Sequence, residues 1–327
     1  MDNREGEPLP DVLGGCRQII RTVLGARKGE RVAIVVDRPM ASIGWGFLDA
    51  ALEFGCEAIL AVTPAPTGTS KEPPERIARL LRDSDVFVIP TTVGMTHTRA
   101  RREASAAGAR GVTLPGITTG MLRQGGIFAD YALVARATEK LAKRLTGVDR
   151  VELLSEGGTE LTFDVHGGTW FAERGLCTEA GEFGNAPGGE VSIAPVNVNG
   201  TLVVDGSINR LGLLRSPLRM LIRDRYVVSI EGEGSDVLMQ FLQSYGPSAF
   251  NVAEIGIGMN PSARLIGRVL EDEKVLGTVH VGIGDNSNMG GKSLAEKVSV
   301  GVHIDGVVVS KPQLLADGQR VDPREFF

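Results

Sequence analysis

The sequence predicts an α/β protein in two parts. Residues 1–147 read as a doubly wound, mainly parallel sheet domain, and residues 148–327 as a β-rich α+β domain. Three observations carry this. Short, continuous apolar runs alternate with helix-like segments in the first part, as in parallel sheets covered on both faces. Strand-like runs follow one another with few helices between them in the second. A chain of 327 residues, at ~150 per domain, suggests about two domains.

In the first part, RVAIVVD (31–37) is a buried strand ending in a turn residue, and 41–54 has helical apolar spacing closed by Gly55. EAILAVT (57–63) is the next strand. Residues 72–81 read as a helix with Pro73 and Pro74 in its first turn. DVFVIP (85–90) is a third strand, followed by a helix over 98–107, a short strand near Val112 and a helix over 131–145. Loops at the carboxyl ends of parallel strands tend to face ligands, and PTTVGMTHT (90–98) is such a loop. After Gly147, strands are read at 151–154, 161–165, 191–194, 202–204 and 226–231, a helix at 235–242, and further strands around Glu254, His280 and His303.

Composition narrows the function classes. Apolar residues make up 42% and charged residues 23%, which excludes whole-chain disorder. The net charge of −5 lacks the basic excess of a phosphate-neutralising protein, so no nucleic acid is expected. No apolar run approaches the ~20 residues of a membrane span. Cys16, Cys56 and Cys177 are odd in number and far apart, which fits a reducing compartment. The polar, acidic N-terminus does not read as a secretory signal, so a cytoplasmic location is expected.

The chain has four histidines, and His303 sits in GVHIDG (301–306). On a strand, residues i and i+2 point the same way, so His303 and Asp305 offer an imidazole and a carboxylate to one point. Zinc, iron and cobalt accept that mixture; a histidine merely oriented by a carboxylate fits equally well. His280 lies on a strand running into the glycine-rich GIGDNSNMGG (282–291), which suits close approach to a ligand or an ordinary loop. Glu254, within VAEIGIG (252–258), is flanked by apolar residues and glycines. It needs a cation or a hydrogen-bonding cage unless it lies on an edge in water. Glu190 enters a strand after a tight turn and, alone, reads as a turn residue. Glu271, Asp272 and Glu273 read as a solvated turn. His97, with Arg99 or Arg101 at a helix start, suits either a substrate carboxylate or a capped helix with solvated arginines. The sequence GGKS (290–293) lacks the upstream glycine of a phosphate-binding loop.

Together, NAPGGEVSIAP (185–195), AEIGIG (253–258), EDEKVLGTVH (271–280) and His303-x-Asp305 resemble the thermophilic-metalloprotease aminopeptidases, the aminopeptidase T and aminopeptidase S group. HTRAR (97–101) and LPG (114–116) extend the likeness loosely into the first part. The resemblance implies a homodimeric two-domain enzyme with a pair of divalent metals in the second domain, making 148–327 the metal-binding catalytic domain, and matches Glu190, Glu254, His280, His303 and Asp305 to ligands. Ser287 stands where the aminopeptidases have a ligand tyrosine, and Gly189 where they commonly have a second acid. The chain is also similar to the 2,5-dihydroxypyridine 5,6-dioxygenases, an offshoot of the same scaffold with one Fe(II) held by two histidines and an aspartate. Their closing pair matches His303 and Asp305, and their other histidine falls at Glu254.

The leading expectation is therefore a metal-dependent, aminopeptidase-like hydrolase acting on a small molecule or short peptide. One or two ions (zinc, manganese, cobalt or iron) on the five residues would activate a water, Glu190 would shuttle the proton, and His97 and Arg101 would grip substrate. The alternatives are a mononuclear iron ring-cleaving dioxygenase and a non-catalytic binding protein on the same scaffold.

Overall fold

The structure is a computed structural model that describes residues 12–64, 72–96, 98–287 and 289–327. The chain forms two compact units. One comprises the residues up to Tyr131 together with Gly175–Gly188; the other comprises Ala132–Arg174 and Gly189–Phe327.

The first unit is built on a five-stranded, all-parallel sheet. Its spatial order is Glu57–Thr63, Arg31–Asp37, Val86–Ile89, Arg110–Thr113 and Phe183–Asn185. Val32 to Val36 are essentially inaccessible along their whole run, because helices cover this sheet and leave the strand no solvent side. Ala33, Val35, Phe87 and Ile89 pack with Leu81 and Ala104 from the helices Glu75–Arg82 and Arg99–Ala106. The first of these helices starts later than expected. Pro74 is its N-cap, in an extended conformation, so both prolines lie outside it. The strand Phe183–Asn185 joins this sheet from far along the chain and carries no sequence signal.

The second unit contains two seven-stranded sheets. One runs Tyr226–Glu231, Leu218–Arg223, Asn197–Val204, Glu160–Asp164, Arg150–Leu154, Gln313–Ala316 and Gln319–Val321. The other runs Gly212–Leu213, Ser207–Ile208, His303–Val308, Val279–Gly284, Val252–Gly258, Glu190–Ile193 and Phe171–Glu173. The strand pairs within both are antiparallel. They share one apolar core, to which Phe163, Leu202 and Met220 come from the first and Val191, Ile255, Val281 and Ile304 from the second. Ala137, Leu141 and Leu145 of the helix Tyr131–Leu145 join it. The α/β architecture with a parallel N-terminal sheet and a larger β-rich region is thus as the sequence predicts. The three cysteines are free and buried. No helix among the described residues is long and apolar enough to cross a membrane.

Candidate metal centre

Four neighbouring strands of the second unit carry the centre: Glu190–Ile193, Val252–Gly258, Val279–Gly284 and His303–Val308. Their register sets Glu254 opposite Gly282, and Gly282 opposite Asp305. One pleat along, Ser192 faces Gly256 and Gly256 faces His280; one further, Glu190 faces Gly258. Directly paired residues share a face, as do residues two apart on a strand. Glu190, Glu254, His280, His303 and Asp305 therefore project from the same side. The alternate positions Val191, Ile193, Ile255, Ile257, Val279, Val281, Ile283 and Ile304 fill the apolar core on the other.

Glycines make room between the polar heads. A methyl group at Gly256 would run into the His280 ring, and one at Gly282 would lie 2.7 Å from His303 Nε2 and 2.9 Å from Asp305 Oδ1. Side chains at these two positions would fill the space in which the polar groups meet.

His303 is held from behind. Its Nδ1 lies 2.7 Å from the backbone carbonyl oxygen of Asp285, which can only accept, so Nδ1 is the donor. Nε2 is thereby turned toward Glu254 Oε2 at 3.2 Å and Asp305 Oδ1 at 3.1 Å. Asp285 is fixed in turn: its carboxylate accepts from the Ser287 hydroxyl and from the Val300 and Gly301 N–H groups. Those bonds outweigh its burial and lower its pKa. This is the support that metal-binding histidines ordinarily have.

The charges respond to one another. Burial opposes ionisation of Glu254, but the hydrogen bond and charge of His303, with His280, hold its carboxyl below the usual range. Burial likewise opposes Asp305, and the His303 cation carries it down to about 2. Burial disfavours the His303 cation, yet Asp305 and Glu254 hold its pKa well above the histidine range. His280 is shifted upward against burial by Glu190, Glu273, Glu254 and Asp305.

Three side chains that the sequence reading did not assign to the site, Lys274, Glu173 and Glu273, complete the cluster. Lys274 is 1% exposed, with Nζ 2.6 Å from Glu190 Oε2, 2.9 Å from Glu273 Oε1 and 3.5 Å from Glu173 Oε2. Glu173 lies opposite Glu190 on the neighbouring strand. Burial penalises the Lys274 cation, but the three carboxylates hold its pKa well above the lysine value. Burial raises Glu273 to about 8. The expected solvated turn at 271–273 is corrected here. Glu271 and Asp272 are fully buried and Glu273 nearly so. Glu271 accepts from the Arg264 N–H and Asp272 from the Ile266 N–H, so two of the three acids hold the preceding loop. The exception to a solvated charge run is readable only from the apolar VLGTVH (275–280) that follows it without a break.

The two departures from the aminopeptidase pattern have local reasons. Gly189 has φ +114°, and an added methyl there would lie 2.8 Å from Val134 Cγ1 and 3.2 Å from Asn260 Cβ. Its N–H donates to Glu173 at 3.3 Å. Ser287 donates its hydroxyl to Asp285, so it acts behind His303. Of the residues read as gripping substrate, His97 lies outside the described residues. Arg101 belongs to the first unit, where its Nε donates to the Thr96 carbonyl at 2.9 Å and its guanidinium stacks 4.0 Å from the Phe183 ring centroid.

The donor atoms form three groupings, each within 4.8 Å: Glu190, Glu254 and His280; Glu254, His303 and Asp305; and Glu273, His280 and Asp305. Imidazole nitrogen and carboxylate oxygen suit a divalent ion. Lys274 pairs with three carboxylates, Glu190, Glu273 and Glu173, while Glu254 and Asp305 face the His303 imidazole, and His280 Nδ1 has no hydrogen-bond partner among the described residues. The residues present therefore fit a cation.

The chain thus has a parallel-sheet unit and a β-rich unit, and the second carries a Glu/His/Asp cluster able to coordinate a divalent ion. A family model described as "NicX: 2,5-dihydroxypyridine 5,6-dioxygenase" matches residues 27–295, most of the chain, and the protein belongs to that family. Among solved structures, 2,5-dihydroxypyridine dioxygenase from Pseudomonas putida KT2440 is similar at 17% identity over 96% of each chain, with a TM-score of 0.78. AmpT from Thermus thermophilus is similar at 16% identity over 95% of this chain and 96% of its own, with a TM-score of 0.68. A search of curated protein sequences finds no match.

These findings overturn the leading expectation. The family is the dioxygenase family and not that of the metalloprotease aminopeptidases, whose likeness to this chain is one of fold alone. The hydrolytic mechanism falls with it. The misreading has a physical source. Five ligand-type residues on one strand scaffold match the aminopeptidase set, and residue types alone do not separate a hydrolytic from an oxygenating centre on a shared fold.

Proposed function

We propose that the protein is a metal-dependent dioxygenase that opens a hydroxylated aromatic or N-heterocyclic ring. The observation that carries this reading is the convergence of Glu254, His303 and Asp305 on one sheet face, with His303 Nε2 aimed at both carboxylates, in a chain of the dioxygenase family. In this reading those three residues hold the ion. Iron(II) held there would supply a redox partner for dioxygen.

The remaining roles belong to the chain. Asp285 and its hydrogen bonds keep the His303 ring from rotating. In this reading His280 Nε2, 3.4 Å from Glu190 Oε2 and 4.0 Å from Glu254 Oε1, donates toward these carboxylates and orients Glu190 to take the proton of a ring hydroxyl. Burial of these groups strengthens every charge interaction among them. The reaction balances without an external reductant, since one ring C–C bond breaks and both atoms of O₂ enter the product.

The test is anaerobic loading with Fe(II) followed by air-saturated buffer and a panel of dihydroxypyridines and catechols. The expected result is uptake of one O₂ per ring lost, read by an oxygen electrode and by loss of the ring absorbance. Turnover of none of the panel by iron-loaded protein would overturn the reading.

A further inference from the structure

We propose that Asn209 is a positioning residue for the centre, gripping the backbone of Asp305 at both its N–H and its carbonyl. The inference rests on the reading of Asp305 as a metal ligand and names the residue that fixes it.

The strand His303–Val308 is held unequally on its two sides. On one it pairs with Val279–Gly284 along its whole length, from Gly284 opposite His303 to Val279 opposite Val308. On the other it meets Ser207–Ile208 at a single pair, Ile208 opposite Gly306. The backbone groups of Asp305 point to this weaker side. Its N–H donates to Asn209 Oδ1 at 2.6 Å, and the Asn209 N–H donates to its carbonyl at 3.3 Å. A regular antiparallel ladder would meet both groups with backbone. Here the chain turns out of the ladder directly after Asn209, where Arg210 takes φ +75°. The side-chain amide supplies the acceptor instead. A backbone N–H can only donate, so the amide is fixed with its oxygen toward Asp305.

The same turn grips the strand a second time, away from the centre. Asp205 accepts from the Val309 N–H at 2.8 Å and from the Ser310 N–H at 3.2 Å. Segment 205–209 thus clamps the strand at two places, and only the Asn209 clamp falls on a residue of the donor set. His303 and Asp305 are thereby braced separately. The Asp285 carbonyl fixes the His303 ring, and Asn209 fixes the backbone from which the Asp305 carboxylate projects. A site of this kind tolerates misplacement of only about 0.5 Å. Removing an outer partner of a metal ligand costs ~10–100-fold in affinity.

The experiment reads ion binding, separately from turnover. Chelator-stripped protein is titrated with Mn(II) by calorimetry and with Co(II) by visible absorption. Asn209→Leu, which keeps the size and removes the acceptor, is expected to weaken both by about 10-fold or more and to change the Co(II) spectrum. Asn209→Asp keeps an acceptor oxygen and is expected to stay within about threefold of wild type, with the wild-type spectrum. Asp205→Ala removes the other clamp and is expected to lower the melting temperature with affinity and spectrum unchanged. Wild-type affinity and spectrum in folded Asn209→Leu would overturn the proposal. So would an equal loss of affinity in Asp205→Ala, the mark of a merely structural turn, or a failure of Asn209→Asp to restore binding. Should Asn209→Leu fail to fold, Asn209→Ala carries the same expectation. Ion binding that follows this pattern, with no ring opening by the iron-loaded protein, would refute the oxygenase reading and leave the role of Asn209 standing.

Discussion

The parallel sheet of the first unit and the sheet of the second that carries the Glu/His/Asp cluster solve different problems with the same strand geometry. Along Arg31–Asp37, Val32 to Val36 are buried and apolar without a break, because both faces of that sheet are covered. Along Val252–Gly258 and Val279–Gly284 every residue is also buried, yet the sequence alternates. Isoleucine and valine take one side; glutamate, histidine and glycine take the other. Full burial with an unbroken apolar run marks scaffold. Full burial with alternating chemistry marks a sheet that carries core on one face and chemistry on the other.

The comparison breaks first at the ligands. His303→Ala or Asp305→Ala is expected to weaken metal binding by about 100-fold or more, since loss of even a supporting partner costs ~10–100-fold. Calorimetric titration with Mn(II) or Fe(II) reads this. An affinity within twofold of wild type would place the ion elsewhere. Glu254→His, which puts a second imidazole at that position, is expected to retain iron far better than Glu254→Ala.

The glycines sharpen it. Gly256→Ala pushes a methyl into His280 and is expected to destabilise the fold by roughly 1–3 kcal/mol and to reduce metal affinity as well. Ile257→Val, one residue along and facing the core, should cost about 0.5–1.5 kcal/mol in denaturant melts and leave metal affinity unchanged. Equal effects of the two on metal binding would erase the distinction between the faces. In the first unit, Val35→Ala should lower stability alone.

A smaller effect concerns pH. In the metal-free chain burial disfavours the His303 cation, but Asp305 and Glu254 hold its proton well above the usual range. An ion must displace that proton, so affinity should rise with pH through the neutral range until His303 titrates unaided. Calorimetry in buffers of different ionisation enthalpy should show a proton released on binding. No buffer dependence would mean that His303 is not displaced.

Much of this arrangement is legible in the sequence, because period-two alternation fixes which residues share a face. His303 with Asp305, and Glu254 beside the glycines of its strand, can be set on one side without coordinates. What the sequence does not show is pairing between strands. Glu173 meets Glu190 only through strand register, and Lys274 enters from a segment with no alternation, where a run of charges ordinarily means solvent. The reaction class is a separate matter: the aminopeptidases and the dioxygenases share this fold, and the residue types along the chain match the aminopeptidase set.

The central claim is ring opening by dioxygen at a single iron. Supplying ¹⁸O₂ to the Fe(II)-loaded protein with a dihydroxypyridine and weighing the product by mass spectrometry tests it most directly. The account predicts a ring-opened product carrying both labelled atoms. A product with label from water alone, or turnover under nitrogen with zinc in the site, would contradict it.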